Sequence, residues 1–408
     1  MHPREQLREK ALAAVAKAAA IGEDIDLSQY QKTALPQPPM AETDLCALPQ
    51  ADLDRLLMGG VDVKSHERGG TYILKDTSVL HCSSKQEGVE VLPLRQALEH
   101  HPWIWDYYWK AVAVDADKYT AAVELDLHDG YVIRALPGSK TIYPIQACLY
   151  MDQDKLQQNI HNIIIAEEGS ELHIISGCVT SEHMKSGVHA GVSEFYVKKG
   201  AKLSFTMIHN WAEEMKVRPR SAAIIEEDGL FLSNYICMKP VRSLQMYPTA
   251  HLNGPGAVAR FYSIIVGTPT TDIDAGSRVI LNHPHCRAEI VSRAITHGGK
   301  IMARGHLVGN APDIKAHLEC RGLLLGGGAM LAVPQLDGFV DGVEMSHEAA
   351  VGKIAQEEIL YLQSRGLTED EAAATIVRGF LSVDIPGLPP QLQAEIDRAV
   401  QATNEESM

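Results

Sequence analysis

Between about residues 118 and 340 the chain is a succession of short runs rich in Val, Ile and Leu. Each follows a polar or glycine-centred turn, and no helical pattern intervenes. The turns AEEGSEL (166–172), VKKGAKL (197–203), IEEDGLF (225–231), LNGPGAV (252–258), DAGSRVI (274–280) and HGGKIM (297–302) show the texture. Their glycines, Gly169, Gly200, Gly229, Gly256, Gly276 and Gly299, return at intervals of 20 to 31 residues. Repetition of strand and turn without helices suits a β-solenoid, in which each repeat buries its apolar side against its neighbours. An antiparallel sandwich gives similar turn spacing, and EFYVKKGAKLSFTMI reads locally as a hairpin. Pattern alone leaves both architectures open.

The flanks differ. Residues 1–22 form an alanine-rich helical pattern, and the Pro-containing tract 35–39 breaks it. The segment PLRQALEHHPWIWDYYW carries three of the four tryptophans and reads as helix into helix, capping one end of the repeats. After them, 351–365 reads as a helix stopped by Gly366. Thr368-Glu369-Asp370-Glu371 then has the spacing of a capping box that opens a second helix. The expected organisation is 1–112 helical and mixed, 113–345 β core, and 346–408 helical.

A net charge of −15 argues against nucleic acid and anionic membranes as partners. The N-terminal apolar stretch is interrupted by Lys17, so neither a signal peptide nor a membrane span is expected. A cytoplasmic location is the expectation. Seven cysteines, widely spaced and without a CxxC pair, fit free thiols better than a disulfide framework or a zinc ribbon.

Two cysteines have an informative phase. Cys178 shares strand parity with Leu172 and Ile174, and Cys320 with Leu318 and Leu324, so both thiols should face the aliphatic interior. They can be small buried hydrophobes. Alternatively they form a sulfur relay, in which thiolates accept and hand on sulfur along an enclosed path. Arg321 should point to the opposite face. His347 and Glu348, after a strand, read either as a surface turn or as ligands that join a thiolate in holding iron. In His283-Pro284-His285-Cys286 alternation separates the histidines from Cys286, which argues against a metal site if the run is extended. No P-loop, dinucleotide-binding, HExxH or GxSxG motif is present, so no nucleotide is expected in this chain. Gly326-Gly327-Gly328 lacks the Lys-Ser/Thr of a nucleotide loop and reads as a bend.

These residues belong to longer stretches that resemble the SufB/SufD family of iron–sulfur cluster assembly scaffolds. CRGLLLGGGAMLAVPQLD resembles its cysteine-containing strand and the proline strand after it, and VEMSHEAAVGKIAQEEILYLQSRGLTEDEAAATIVRGF its C-terminal signature. HNIIIAEEGSELHIISGCV, VSEFYVKKGAKLSFTMIHNW and DGYVIRALPGSKTIYPIQACLYM resemble its central strands and the approach to them. The resemblance spans roughly residues 90–385. It implies a mainly β fold: a right-handed parallel β-helix flanked by helical segments. The C-terminal helices would dock an ABC-type ATPase of the SufC family, which supplies the nucleotide hydrolysis. By the same resemblance Cys320 would hold a transient iron–sulfur cluster with Glu348 beside it, and Cys178 would accept sulfur. His347 lies where a SufD chain contributes a histidine to its interface with SufB.

SufB and SufD pair as different chains, whereas this one carries Cys320, His347 and Glu348 together. A homodimer, or pairing with a SufB/SufD paralogue through the β-helix, follows as an expectation. The N-terminal region lacks the clustered cysteines of some SufB chains, which leaves the sulfur donor unassigned. A flavin is suggested only by family analogy. The expectation is an assembly scaffold with no enzymatic activity of its own. Its rivals are a structural or regulatory partner of the ATPase that carries no cluster, and a β-helix carbohydrate lyase or hydrolase. Free thiols and few aromatics argue against the latter.

Overall fold

The computed structural model describes residues 3–34, 45–239 and 241–381. It resolves the choice between sandwich and solenoid through strand pairing. Along one face the strands Ile145–Met151, Glu171–Thr180, Lys202–Asn210, Leu230–Cys237, Val258–Gly267, Arg287–Thr296, Ile314–Leu324 and Val343–Gly352 follow one another, all parallel. The intervening strands, from Leu156–Ala166 and Ser186–Val197 through Asp272–Leu281 and Lys300–Gly309 to Ala329–Gly338, build the second face, also parallel. Each coil thus lays one stretch on each face. Register carries Glu171 onto Lys202, Leu230, Val258, Arg287, Lys315 and Glu344, an advance of 28 to 31 residues per coil. The apparent hairpin EFYVKKGAKLSFTMI is a corner: Ser186–Val197 and Lys202–Asn210 lie in different sheets.

That corner is held by a stacked column of residues in the left-handed backbone region, one per coil: Gly138, Gly169, Gly200, Asp228, Gly256, His285, Asp313 and Gly342. Their φ angles lie between 53° and 80°. Each of the first seven donates its backbone N–H to a carbonyl in the corner of the following coil, as in Gly169 to Lys199 and Gly200 to Glu227. A side chain here meets the clash that disfavours left-handed backbone, which Gly avoids and Asp or His tolerates better than most. The glycine repeat in the sequence is therefore partly this column and partly something else. Gly229 follows the column member Asp228, Gly276 lies inside the strand Asp272–Leu281, and Gly299 belongs to a different corner. The Gly326–Gly328 run is a bend, as expected, where a Cβ on Gly326 would stand 2.5 Å from the carbonyl oxygen of His297.

The interior is one continuous apolar cluster running from Tyr72 and Leu74 to Leu318 and Cys320. One end of the solenoid is covered: Ser78–Ser84 and Val89–Pro93 add antiparallel to the first strands. At the other end Ala329–Gly338 and Val343–Gly352 have no further strand among the described residues. Leu331 is 54% and Val351 41% exposed there.

The helical flanks pack on the sides. The tryptophan segment forms the helix Leu94–His100 and the 3-10 turn Pro102–Asp106. It covers the outward residues Val132, Ile163, Ile165 and Val192 on a flank rather than capping an end. Strand outer faces that are themselves apolar demand such a cover. Glu194, fully buried, fastens it by accepting from the backbone N–H groups of Trp109, Ala111 and Val112, from Tyr196 Oη and from His161 Nε2.

At the C-terminal side Val351 and Gly352 remain in the last strand, so the first helix begins later than the sequence pattern suggests, at Gln356–Ser364. The capping box is present, with Thr368 N to Glu371 Oε2 at 2.8 Å and Glu371 N to Thr368 Oγ1 at 3.2 Å. The helix it opens, Glu369–Leu381, seats Val377 against Ile264, Ile295 and Leu323 on the outside of the solenoid. The proline tract 35–39 and the chain beyond 381 lie outside the described residues.

If the corner column sets the coil, Gly200→Val should lower the calorimetric melting temperature, by about 1–2 kcal/mol of stability. Gly200→Asn should cost less. Equal melting of the two variants would contradict a left-handed corner at this position.

Candidate functional site

The site follows from pleat alternation on the last two strands of the first face. On Ile314–Leu324 the residues Ile314, Ala316, Leu318 and Cys320 point inward and are buried, while Lys315, His317, Glu319 and Arg321 point outward. On Val343–Gly352 the partly buried Val343 and Met345 pack on the interior cluster, so His347 and Ala349 share that side. Ser346 and Glu348 point outward. Register sets His347 beside Leu318, Glu348 beside Glu319 and Ala349 beside Cys320.

The predicted residues are thereby divided between the two sides of the sheet. Cys320 and His347 are on the interior side, diagonal neighbours at the end where no further described strand pairs. Glu348 is on the exterior. Burial and the neighbouring Glu319 carboxylate push the Cys320 thiol up to about 11, so it is a neutral thiol near pH 7. Leu324, which shares its parity, does not join the interior cluster; the adjacent Leu323 is buried outward instead, under the C-terminal helix.

Cys178 is interior, as its phase suggests, with its Sγ 3.7 Å from Met207 Sδ. Full burial raises its pKa well above the ordinary thiol value. Five inter-strand steps separate its coil from that of Cys320, about 24 Å at about 4.8 Å per step. Two adjacent interior columns run between their coils, each containing one of the two cysteines. One runs Cys178, His209, Cys237, Ile265 and Ala294, and the other Ser176, Met207, Tyr235, Ser263, Ser292 and Cys320. A cavity of about 60 Å³ opens at Met207, His209 and Tyr235, where Tyr235 Oη lies 2.8 Å from His209 Nδ1. It can hold a small solute such as water or hydrosulfide.

Outside, three side chains converge that sequence reading did not put together. Ligand atoms of His317, Glu319 and Glu348 all lie within 4.8 Å of one another, the one such His/Cys/Asp/Glu grouping among the described residues. His317 Nδ1 is 2.9 Å from Ser346 Oγ. Arg321 sits between the carboxylates, with Nε 2.8 Å from Glu319 Oε1 and Nη2 3.4 Å from Glu348 Oε1. Alternation alone groups His317 with Glu319; only the coil register brings in Glu348. The run His283–Cys286 is a turn. Cys286 is buried with its Sγ donating to the Gly254 carbonyl at 3.3 Å, and neither histidine joins it in a metal-type cluster.

Among the described residues no helix is long and apolar enough to cross a membrane. The family profile described as "SUF system FeS cluster assembly, SufBD core domain" matches residues 149–380. An iron-sulfur cluster assembly SufBD family protein of Methanothermobacter thermautotrophicus (strain Winter) is 49% identical over 398 residues, 95% of this chain and 96% of its own. One from Archaeoglobus fulgidus is 49% identical over 351 residues, 86% of this chain and 94% of its own. A Staphylococcus aureus (strain MRSA252) member is 29% identical over 335 residues, 79% of this chain and 70% of its own. With the β-solenoid, its flanking helices and a profile match across most of the coils, the chain belongs to the SufBD family of iron–sulfur cluster assembly proteins.

Proposed function

We propose that this protein is the scaffold on which a nascent iron–sulfur cluster is put together, with Cys320 as its thiolate ligand. The observation that carries the reading is the position of Cys320: an interior thiol one coil from the last described strand, with His347 on the same side of that strand. The exposed strands at that end of the solenoid offer a pairing surface to a second copy or to a SufB/SufD paralogue. A two-fold contact there would bring Cys320 of one protomer toward His347 of its partner, so that one chain serves both roles.

Sulfur acceptance in this reading is thiol–persulfide exchange. A cysteine thiolate attacks the outer sulfur of a donor persulfide, the donor S–S bond breaks, the donor thiolate leaves and the new S–S bond stays on the scaffold. Cys178 is the first acceptor. The distance to Cys320 exceeds a single exchange, and Cys237 still lies three strand steps short of it, so sulfur covers the remaining distance as hydrosulfide. Release of sulfide from a persulfide consumes two electrons, supplied by a reductant acting in trans. No step uses a flavin.

A neutral buried thiol is a poor nucleophile, so Cys178 must be uncovered by movement of its coil before it accepts sulfur, and Cys320 needs either a bound cation or a movement of the last coils to become reactive. The helix Glu369–Leu381 rests on Leu323, three residues from Cys320. The preceding helix Gln356–Ser364 leaves Leu360 56% and Tyr361 58% exposed. We assign these helices to an ABC-type ATPase of the SufC family, whose cycle would pull on the Cys320 strand. A scaffold in this sense binds and passes on its cargo without turning over a small substrate.

Anaerobic reconstitution with ferrous iron and sulfide, read by absorbance and Mössbauer spectra, tests the assignment. Cys320→Ser should lose the cluster while melting like the wild type, and Glu348→Ala should weaken retention less. Full clusters in both variants would refute the site. Alkylation offers a second check. Near pH 7 the exposed Cys46 should react fast and Cys320 slowly, and the Cys320 rate should climb about tenfold per pH unit until about pH 11. A Cys320 rate matching that of Cys46 near pH 7 would contradict the buried, neutral thiol.

A further inference from the structure

We infer that His317, Glu319 and Glu348 form a divalent-cation site on the exterior of the last two coils, separate from Cys320, which holds the metal before it meets sulfur. The geometry is independent of the scaffold reading; the use as an iron-loading site rests on it. One imidazole and two carboxylates, with ligand atoms within 4.8 Å of one another, make a nitrogen–oxygen donor set. Such a set suits ferrous iron, manganese or zinc and holds no soft sulfur.

Two features mark it as more than a patch of acids. Ser346 Oγ engages His317 Nδ1 at 2.9 Å, which fixes the ring and leaves Nε2 as the free ligand atom. Holding the second ring nitrogen is how metal-binding histidines are oriented. Glu319 is the inner carboxylate: its Oε1 is buried and makes no hydrogen bond of normal geometry, although Arg321 Nε lies 2.8 Å away. Arg321 also reaches Glu348, and so neutralises both carboxylates while the site is empty. A cation entering between them takes over that role, and the half-exposed Arg321 side chain is free to turn toward solvent.

The approach is open. His317 and Ser346 also line a surface groove of about 700 Å³ that extends past Lys315, Arg287 and Arg260. Glu319 and Glu348 lie outside that groove, and the exposed Glu348 side chain lets a hydrated cation enter from the exterior without crossing the sheet. The strand then separates the two chemistries by one residue: Glu319 faces the cation and Cys320 faces the interior. Metal and thiol meet only when the last coils rearrange or a partner chain brings its own residues to the edge.

Manganese is the probe that tests this, because it prefers oxygen and nitrogen donors and builds no sulfide cluster. The hexaaqua manganese EPR signal, titrated with the full-length chain, should fall with a stoichiometry of one ion per chain. Glu319→Gln and, independently, Glu348→Gln should each weaken binding by more than about tenfold. Glu344→Gln, a nearby exposed acid outside the trio, should bind as the wild type does. Manganese left free by the wild type, or bound equally by both site variants, would overturn the inference. Cys320→Ser leaves the trio intact and should bind manganese as the wild type does while losing the cluster, so the two assignments fail separately.

Discussion

A chain can climb a parallel solenoid only if every coil turns its corner in the same way. Here that uniformity rests on one residue per coil held in the left-handed backbone region and hydrogen-bonded to the corner of the next coil. Without it, successive strands would lose register, and a slip of one residue exchanges the inner and outer side chains of a strand. Every chemical statement about this protein depends on that register. It places Cys320 inward, it sets Glu348 beside Glu319, and it aligns His347 with Leu318.

The consequence is a protein wall with different chemistry on its two sides. Inside are thiols, serines and aliphatics, where burial pushes the Cys320 thiol up to about 11 and raises that of Cys178 well above its ordinary value. Outside are the imidazole, carboxylates and guanidinium of the last two coils. Soft sulfur chemistry and hard cation chemistry are kept one residue apart on the same strand. Under the scaffold function proposed above, this separation limits uncontrolled precipitation of iron and sulfide. It also means that assembly requires movement, and the uncapped end is where movement is cheapest, since its edge strands lack partners among the described residues.

Much of this was legible in the sequence. The parity of Cys178 and Cys320 with neighbouring aliphatics gave their inward orientation, and the Thr368–Glu371 spacing gave the capping box. What stayed hidden was what alternation cannot express. The corner column was obscured because Asp228, His285 and Asp313 stand in for glycine, while Gly276 is a strand residue. The hairpin reading of EFYVKKGAKLSFTMI failed because local sequence does not say whether a turn reverses within a sheet or steps between sheets. Pairing of Glu348 with Glu319 is set across a whole coil, so the exterior trio could not be assembled from any one stretch. The tryptophan segment covers a flank because the outer faces of nearby strands are apolar, a fact that depends on which strands lie beneath it.

Iron K-edge absorption on the anaerobic protein tests the separation of the two sides most directly, with the chain loaded first with ferrous iron alone and then given sulfide. The account predicts a first shell of nitrogen and oxygen before sulfide, and a sulfur shell only afterwards. Sulfur ligation in the sulfide-free sample would mean that iron reaches the interior thiols unaided. It would contradict the view that the strand holds metal and thiol apart.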